Sequence, residues 1–294
     1  MIRLLLIALL LAPRLFAREV AVTFDDLPDV DDDLHNIARQ TNITNSLVMR
    51  IRAAGVPAIG FVNEDKLDDG TLLETWHRNG LELGNHTYSH AQLHTVGAEE
   101  FDCDIDRGDE ITRGVTGRAP VWFRHPYLET GKTAEQRDAV NAFLARSGYE
   151  VAPVTIDDSD WIFATAYDVA GWWRRPFIRR AYINHMQQRF EWAEHESHLV
   201  FGREIPQVLL LHASALNADT FTDLARMIRA RGYDFVTLAD AVSDSAYASP
   251  DTWVGGGVGW IERWGVTAGM DEVAFEGDPQ VPVWIQQIAK QREE

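Results

Sequence analysis

The chain has one cysteine, Cys103, in 294 residues. A lone cysteine cannot form an internal disulfide, so the core alone must hold the fold. No His-Cys pattern surrounds Cys103, and it reads as a packed residue rather than a nucleophile. Positive charge is scarce as well: 27 Lys and Arg stand against 45 Asp and Glu, a net charge of −18. Gripping a phosphate backbone needs an excess of cations, so nucleic acid is excluded as a partner. Long hydrophobic runs are missing beyond the start, "MIRLLLIALLLAPRLFAREV". There Arg3 precedes an apolar run, Leu4 to Ala12, too short to span a bilayer comfortably. Residues 1–17 read as a signal peptide ending at Ala17, although Leu15 suits the small-x-small rule poorly. The alternative is an uncleaved N-terminal anchor. The chain is thus expected to be exported, periplasmic or secreted, with no transmembrane span after signal removal.

What is present is ordinary for a globular chain: 46% hydrophobic and 24% charged residues, with ten Trp. Short apolar runs alternate with helical patterns. Strands are expected at 19–24, 57–62, 81–84, 120–123, 151–155, 207–211 and 234–237. Helices are expected near 41–54, 69–79, 98–114, 133–147 and 217–231. Gly55, Gly80, Gly148 and Gly232 each end a helical pattern and precede a strand, the place of a left-handed cap. This alternation indicates βα units and a parallel sheet, and seven of them suggest a barrel. Residues 163–205 break the rhythm as a helical excursion, and residues 244–294 form a Trp- and Gly-rich extension. "GGGVG" at 255–259 lacks the Lys and spacing of a phosphate loop and reads as loop. The simplest division is a signal peptide at 1–17, one catalytic domain at 18–243 and a C-terminal extension at 244–294 packed upon it.

Chemistry gathers at the ends of the expected strands. The run Val20 to Phe24 stops on Asp25 and Asp26. Neighbours on a strand point to opposite faces, so both carboxylates serve one site only if the strand ends there. The run at 81–84 leads into His86 and His90, four apart, a spacing that lets two imidazoles share one metal. In parallel βα architectures such ends converge on one mouth. One carboxylate and two imidazoles make a three-ligand site with open positions; the second carboxylate is left to act as base. Zinc in such a site lowers the pKa of its water from 15.7 to about 7. Arg124 follows another strand and is suited to pair with an acidic base. His212 ends the run at 207–211 and is placed to be a general acid. "IDDSDW" supplies carboxylates, one of which is suited to orient His212. Asp29, Asp31 and Asp33 resemble the start of a calcium loop, but no Gly stands sixth and Gln40 replaces the bidentate Glu, so calcium is set aside.

Five stretches in order, "TFDD" at 23–26, "HTYSH" at 86–90, "RHPY" at 124–127, "DDSDW" at 157–161 and "LLH" at 210–212, resemble the motifs of polysaccharide deacetylases of the NodB-homology type, carbohydrate esterase family 4. The resemblance implies a distorted (β/α) barrel and metal-dependent hydrolysis of N-acetyl groups on a sugar polymer, with release of acetate. It implies Asp25 as base, with Asp26, His86 and His90 holding a divalent metal. Zinc is the default for that donor set, with cobalt, nickel or manganese also acceptable. Arg124 would tether Asp25. His212 would be the acid, oriented by Asp160 first and Asp157 second. Leu210 would line the acetyl pocket, Trp161 the substrate groove, and the Tyr127 N–H would face the oxyanion.

The sequence also departs from the family pattern. Leu27 stands where the first motif commonly has Gly, His125 where the third usually has Pro, and Leu128 where it usually has Gly. These changes leave the reaction type in place and open the substrate. The same machinery acting on an O-acetyl ester or a non-glycan amide is the rival activity. A glycan-binding module without catalysis is the rival of another class; its mark would be a lost ligand or base, and none is missing.

Overall fold

The computed structural model describes residues 18–31 and 36–292. The expected signal peptide and Asp33 lie outside the described residues. In chain order, β1 (Arg18–Leu27) leads into α1 (Ile37–Ala54), and β2 (Ala58–Val62) into α2 (Thr71–Arg78). Then follow β3 (Glu82–Asn85), α3 (Leu93–Val96), α4 (Ala98–Arg107), α5 (Glu110–Thr116), β4 (Trp122–Phe123) and α6 (Ala134–Ser147). The second half holds β5 (Glu150–Val151), α7 (Asp160–Val169), α8 (Arg175–Phe201), β6 (Gln207–His212), α9 (Ala215–Ala230) and β7 (Tyr233–Phe235). It closes with α10 (Leu238–Val242), α11 (Trp260–Thr267) and α12 (Val283–Ala289).

All seven strands are parallel, in the order β5-β4-β3-β2-β1-β6, with β7 paired to the start of β1. The sheet curls into a distorted (β/α) barrel. An isolated bridge from Ile156 to Leu209 spans the gap between β5 and β6. The strands β4 and β5 are shorter than the runs 120–123 and 151–155. Pro120 and Pro153 sit at those places and have no N–H to give a ladder.

Along β1, Val20, Val22 and Phe24 enter the large core beneath α1, α2 and α9, while Ala21 joins Ile59, Phe61 and Val208 in the barrel interior. That alternation fixes which strand face looks inward. The four expected cap glycines, Gly55, Gly80, Gly148 and Gly232, all have positive φ. The expected single helix at 98–114 is two, α4 and α5, broken at Gly108. A Cβ there would lie 2.6 Å from the backbone of Thr87 and Tyr88, so the chain bends where the loop after β3 presses on it. Cys103 is exposed, not packed as expected. Phe101 and Ile105 take the buried face of α4 and leave position 103 on the opposite side.

The excursion at 163–205 is α7 and α8. Ile178, Tyr182, Met186, Phe190, Ala193 and Ser197 form one buried stripe along the 27-residue α8, at the spacing that keeps a helix on a core. The C-terminal segment is built into the same body. Ile285 and Ile288 of α12 enter the large core, and Trp260, Ile261 and Trp264 of α11 pack with Leu128, Val154 and Leu210.

Candidate active site

The C-terminal ends of β1, β3, β4 and β6 open on a cavity of about 630 Å³. Asp25, Asp26, His86, His90, Tyr127, Asp157, Trp161, Leu210 and His212 all line it. The adjacent carboxylates reach it together through a bulge. The register between β1 and β2 slips between Phe24 and Leu27, and Asp26 takes φ 60°. Bulges commonly re-aim a side chain beside a site. Here the bulge lets Asp26 join Asp25 on the inner side.

The ligand atoms of Asp26, His86 and His90 all lie within 4.8 Å of one another. Asp26 Oδ1 is 3.7 Å from His86 Nε2 and 3.5 Å from His90 Nε2. His86 Nδ1–H donates to the Arg124 carbonyl at 2.8 Å. A carbonyl only accepts, so this bond fixes the tautomer and leaves the Nε2 lone pair facing Asp26. Burial holds the His86 pKa well below its usual range, keeping the ring neutral as a ligand requires. Asp26 is buried and its Oδ1 accepts no hydrogen bond. Its pKa is nevertheless low: burial opposes ionisation, but nearby positive charge, first that of Lys66 at 3.8 Å, outweighs it. An ionised, hydrogen-bond-free carboxylate oxygen facing two imidazole nitrogens is a donor set that fits a divalent cation.

Asp25 lies 3.7 Å from His86 Nε2. Burial pushes its pKa up to about 7, with the positive charge of Arg124 pulling the other way. Arg124 is wholly buried over the Phe61 ring. Its Nε stands 4.0 Å from Asp25 Oδ1, an ion-pair distance beyond hydrogen-bond reach, and its Nη2 donates to Thr23 Oγ1 at 3.0 Å. The contact with Asp25 is therefore one of charge, not a hydrogen-bonded tether.

His212 closes the other side. Its Nδ1 is 2.5 Å from Asp160 Oδ1, and its backbone N–H donates to Asp160 Oδ2 at 2.8 Å. Asn217 Nδ2 also donates to Asp160 Oδ2 and to the His212 carbonyl. Burial disfavours the imidazolium, yet Asp160 carries its pKa up to about 10. The free side of the ring, Nε2, faces Asp26 Oδ2 at 3.9 Å. Asp157, the second candidate, touches the cavity but accepts the Ser159 N–H and makes no bond to His212. Tyr127 sits at the rim with φ 55°, its ring 4.4 Å from that of His90. Leu210 forms the buried floor and Trp161 the exposed lip.

Sequence reasoning missed part of the wall. His94 pairs with Glu129 beside the loop after β3, and Gly256 and Gly257 line the same cavity. The N–H of Gly257 donates to the Tyr127 carbonyl at 3.0 Å, and Thr130 N–H donates to the Gly255 carbonyl at 2.8 Å. A Cβ on Gly256 would stand 3.0 Å from the Tyr127 carbonyl oxygen. The glycine cluster is a brace for the third-motif turn. Its signal was visible as a glycine run, but its partner was not.

A family model described as "Polysaccharide deacetylase" matches residues 15–148. That span holds the first three motifs and ends before Asp160 and His212. The chain is 27% identical over 146 residues to a peptidoglycan-N-acetylglucosamine deacetylase of Bacillus cereus, covering 49% of this chain and 46% of the relative. It is 27% identical over 148 residues to a chitin deacetylase of Arthroderma benhamiae, covering 50% of this chain and 36% of the relative. The chain thus spans less than half the length of these curated relatives. Among solved structures it matches a family 4 carbohydrate esterase from Streptomyces lividans in complex with acetate. The TM-score is 0.53 and the identity 21%, over 76% of this chain and 95% of that one. That likeness bears on the fold.

Proposed function

Because a family model described as polysaccharide deacetylase matches residues 15–148, we propose that the chain is a metal-dependent hydrolase that removes N-acetyl groups from a polysaccharide or oligosaccharide outside the cytoplasm. One observation carries the reading. A cation-ready triad, Asp26, His86 and His90, shares a cavity with a second carboxylate, Asp25, and with the Asp160–His212 pair. Asp26, His86 and His90 would hold the metal, zinc by donor set, with cobalt, nickel or manganese also accepted. When bound it supplies Lewis-acid polarisation of a water and of the acetamide carbonyl. Asp25 takes the proton from the attacking water, with the charge of Arg124 keeping it oriented toward the cavity. Asp160 holds a proton on His212, and Nε2 delivers it to the leaving nitrogen, so that amine and acetate separate. The Tyr127 N–H faces the developing oxyanion. Leu210 receives the acetyl methyl, and Trp161 offers its face to the sugar.

On this reading residues 18–243 form the catalytic domain and residues 244–294 an extension packed on it, with 1–17 as export signal. Among the described residues no helix is long and apolar enough to cross a membrane. The test is metal per chain by elemental analysis together with acetate release from an N-acetylglucosamine oligomer, for wild type and His86→Ala. Stoichiometric metal and acetate release, both lost in the variant, support the proposal. Metal without acetate release would move the activity to the rival substrates, an O-acetyl ester or a non-glycan amide, which the altered third motif admits. No metal after reconstitution with zinc or cobalt would sink the mechanism.

A further inference from the structure

The motifs leave α8 and the corner that precedes it without a role. That corner reads Trp172-Trp173-Arg174-Arg175-Pro176-Phe177-Ile178-Arg179-Arg180. Three of its large apolar side chains stand in solvent: Trp172 is 83% exposed, Trp173 55% and Phe177 66%. Val169, at the end of α7, is exposed as well. Large apolar groups gathered on a surface mark a contact with something. A chain of net charge −18 also places four of its 27 basic residues here. Arg179 is offset by Asp223 at 3.4 Å. Among the described residues Arg174, Arg175 and Arg180 enter no ion pair. Arg174 lies over the Trp173 ring at 4.6 Å and Arg175 over Tyr167 at 4.7 Å, so two of the guanidiniums sit at the base of the aromatic tip.

The chemistry discriminates between anionic partners. A charged, hydroxylated polymer would use the guanidiniums but gain little from Phe177 and Val169, which offer no hydrogen bond. Burying those side chains takes an apolar medium, which the interior edge of a bilayer supplies beside its phosphates. Indole rings favour the headgroup level of a bilayer, and arginines beside them meet lipid phosphates. The acidic remainder of the chain is repelled by an anionic surface, so this corner is the part able to approach one. We propose that the α7–α8 corner docks on a bilayer containing anionic phospholipid, with Trp172, Trp173 and Phe177 inserted and Arg174 and Arg180 on phosphates. The corner stands apart from the catalytic groups. The ten residues of α7 put it about 15 Å along the helix from Trp161 at the cavity lip.

The test is co-sedimentation of the full chain with vesicles of equal parts phosphatidylglycerol and phosphatidylcholine, or of phosphatidylcholine alone. Wild type is expected to pellet with the anionic vesicles and much less with neutral ones, and to be released by raised salt. W172S/W173S/F177S and, separately, R174E/R180E should each lower the bound fraction at least tenfold. Unchanged thermal midpoints and unchanged bound metal in both variants would show that they fold. This readout does not depend on acetate release, so it stands or falls apart from the proposed activity. Variants that pellet like wild type would overturn the proposal, as would equal binding to neutral vesicles. Retention on a heparin column without vesicle binding would give the corner to a polyanion and overturn the lipid assignment.

Discussion

His125 offers a clean test, because the structure shows what it touches. It is 1% exposed and lies parallel to Phe101 and edge-on to Phe123. Burial first, then the nearby guanidiniums of Arg263 and Arg124, press its pKa from 6.5 down to about 3. The unfolded chain therefore takes up a proton as pH falls through 6.5, and the folded chain takes it up only near 3. The stability this residue contributes is present above 6.5 and drains away as pH falls toward 3. At pH 5 the loss amounts to about 2 kcal/mol, and at pH 7.5 it is close to zero. Phenylalanine at this position keeps the ring stack and removes the titration. His125→Phe should stay close to wild type in stability at pH 7.5, since it keeps the buried ring and loses a polar group that burial disfavours. Between pH 7.5 and pH 5 the thermal midpoint of wild type should fall about 4 °C further than that of the variant. Equal falls in the two proteins would refute the reasoning, because they would mean that His125 is hydrated or protonated in the folded state.

Four further outcomes are expected. Asp25→Asn should bind metal as wild type does while acetate release drops about 10²- to 10⁴-fold, the range for loss of a general base; loss of metal together with activity would make Asp25 a ligand instead. His86→Ala should lose the metal, read by elemental analysis, because one of three ligands and the bond to the Arg124 carbonyl go together. Asp160→Asn should retain metal but lose activity increasingly as pH rises, because His212 no longer has the carboxylate that holds its proton against burial; an unmoved basic limb of the pH profile would exclude His212 as the acid. Gly256→Val should leave metal content intact and lower kcat/KM at least tenfold, since the new side chain meets the Tyr127 carbonyl and the Glu129 side chain; wild-type kinetics would show that the turn does not need the brace.

Elements set by local pattern were legible in the sequence. The runs at 19–24 and 207–211 could be read as strands because a buried parallel strand is a short apolar run; β6 does end at His212, but β1 does not stop at Asp25 and continues through a bulge to Leu27. The four glycine caps were legible for a similar reason: positive φ is a local demand that Gly meets cheaply. The break at Gly108 was not legible, because it depends on the approach of the Thr87–Tyr88 backbone from 20 residues away. The exposure of Cys103 was missed because position 103 lies between two core positions, and only the helix phase separates them. At the site, the types and order of residues could be read, but distances could not. Arg124 was expected to tether Asp25 directly, and it stands 4.0 Å off, bonded to Thr23 instead.

The departures in the third motif and the C-terminal segment are best understood as one adaptation. Leu128 stands where the family usually has Gly, yet it keeps φ 51°, a conformation that costs a branched side chain about 1–2 kcal/mol. Something must hold it there. Arg263, wholly buried on α11, donates to the Leu128 carbonyl through Nη2 and to the Val258 carbonyl through Nε. Trp260 and Trp264 close over the Leu128 side chain in one apolar cluster. The glycine run then meets the same turn from the cavity side, through Gly257 to Tyr127 and Gly255 to Thr130. His125 is enclosed from behind, with Arg263 near enough to depress its pKa. A turn that relied on Gly and Pro for its shape would need no such support. Here the shape comes from a segment more than 100 residues later, and that segment also supplies the cavity wall at Gly256 and Gly257.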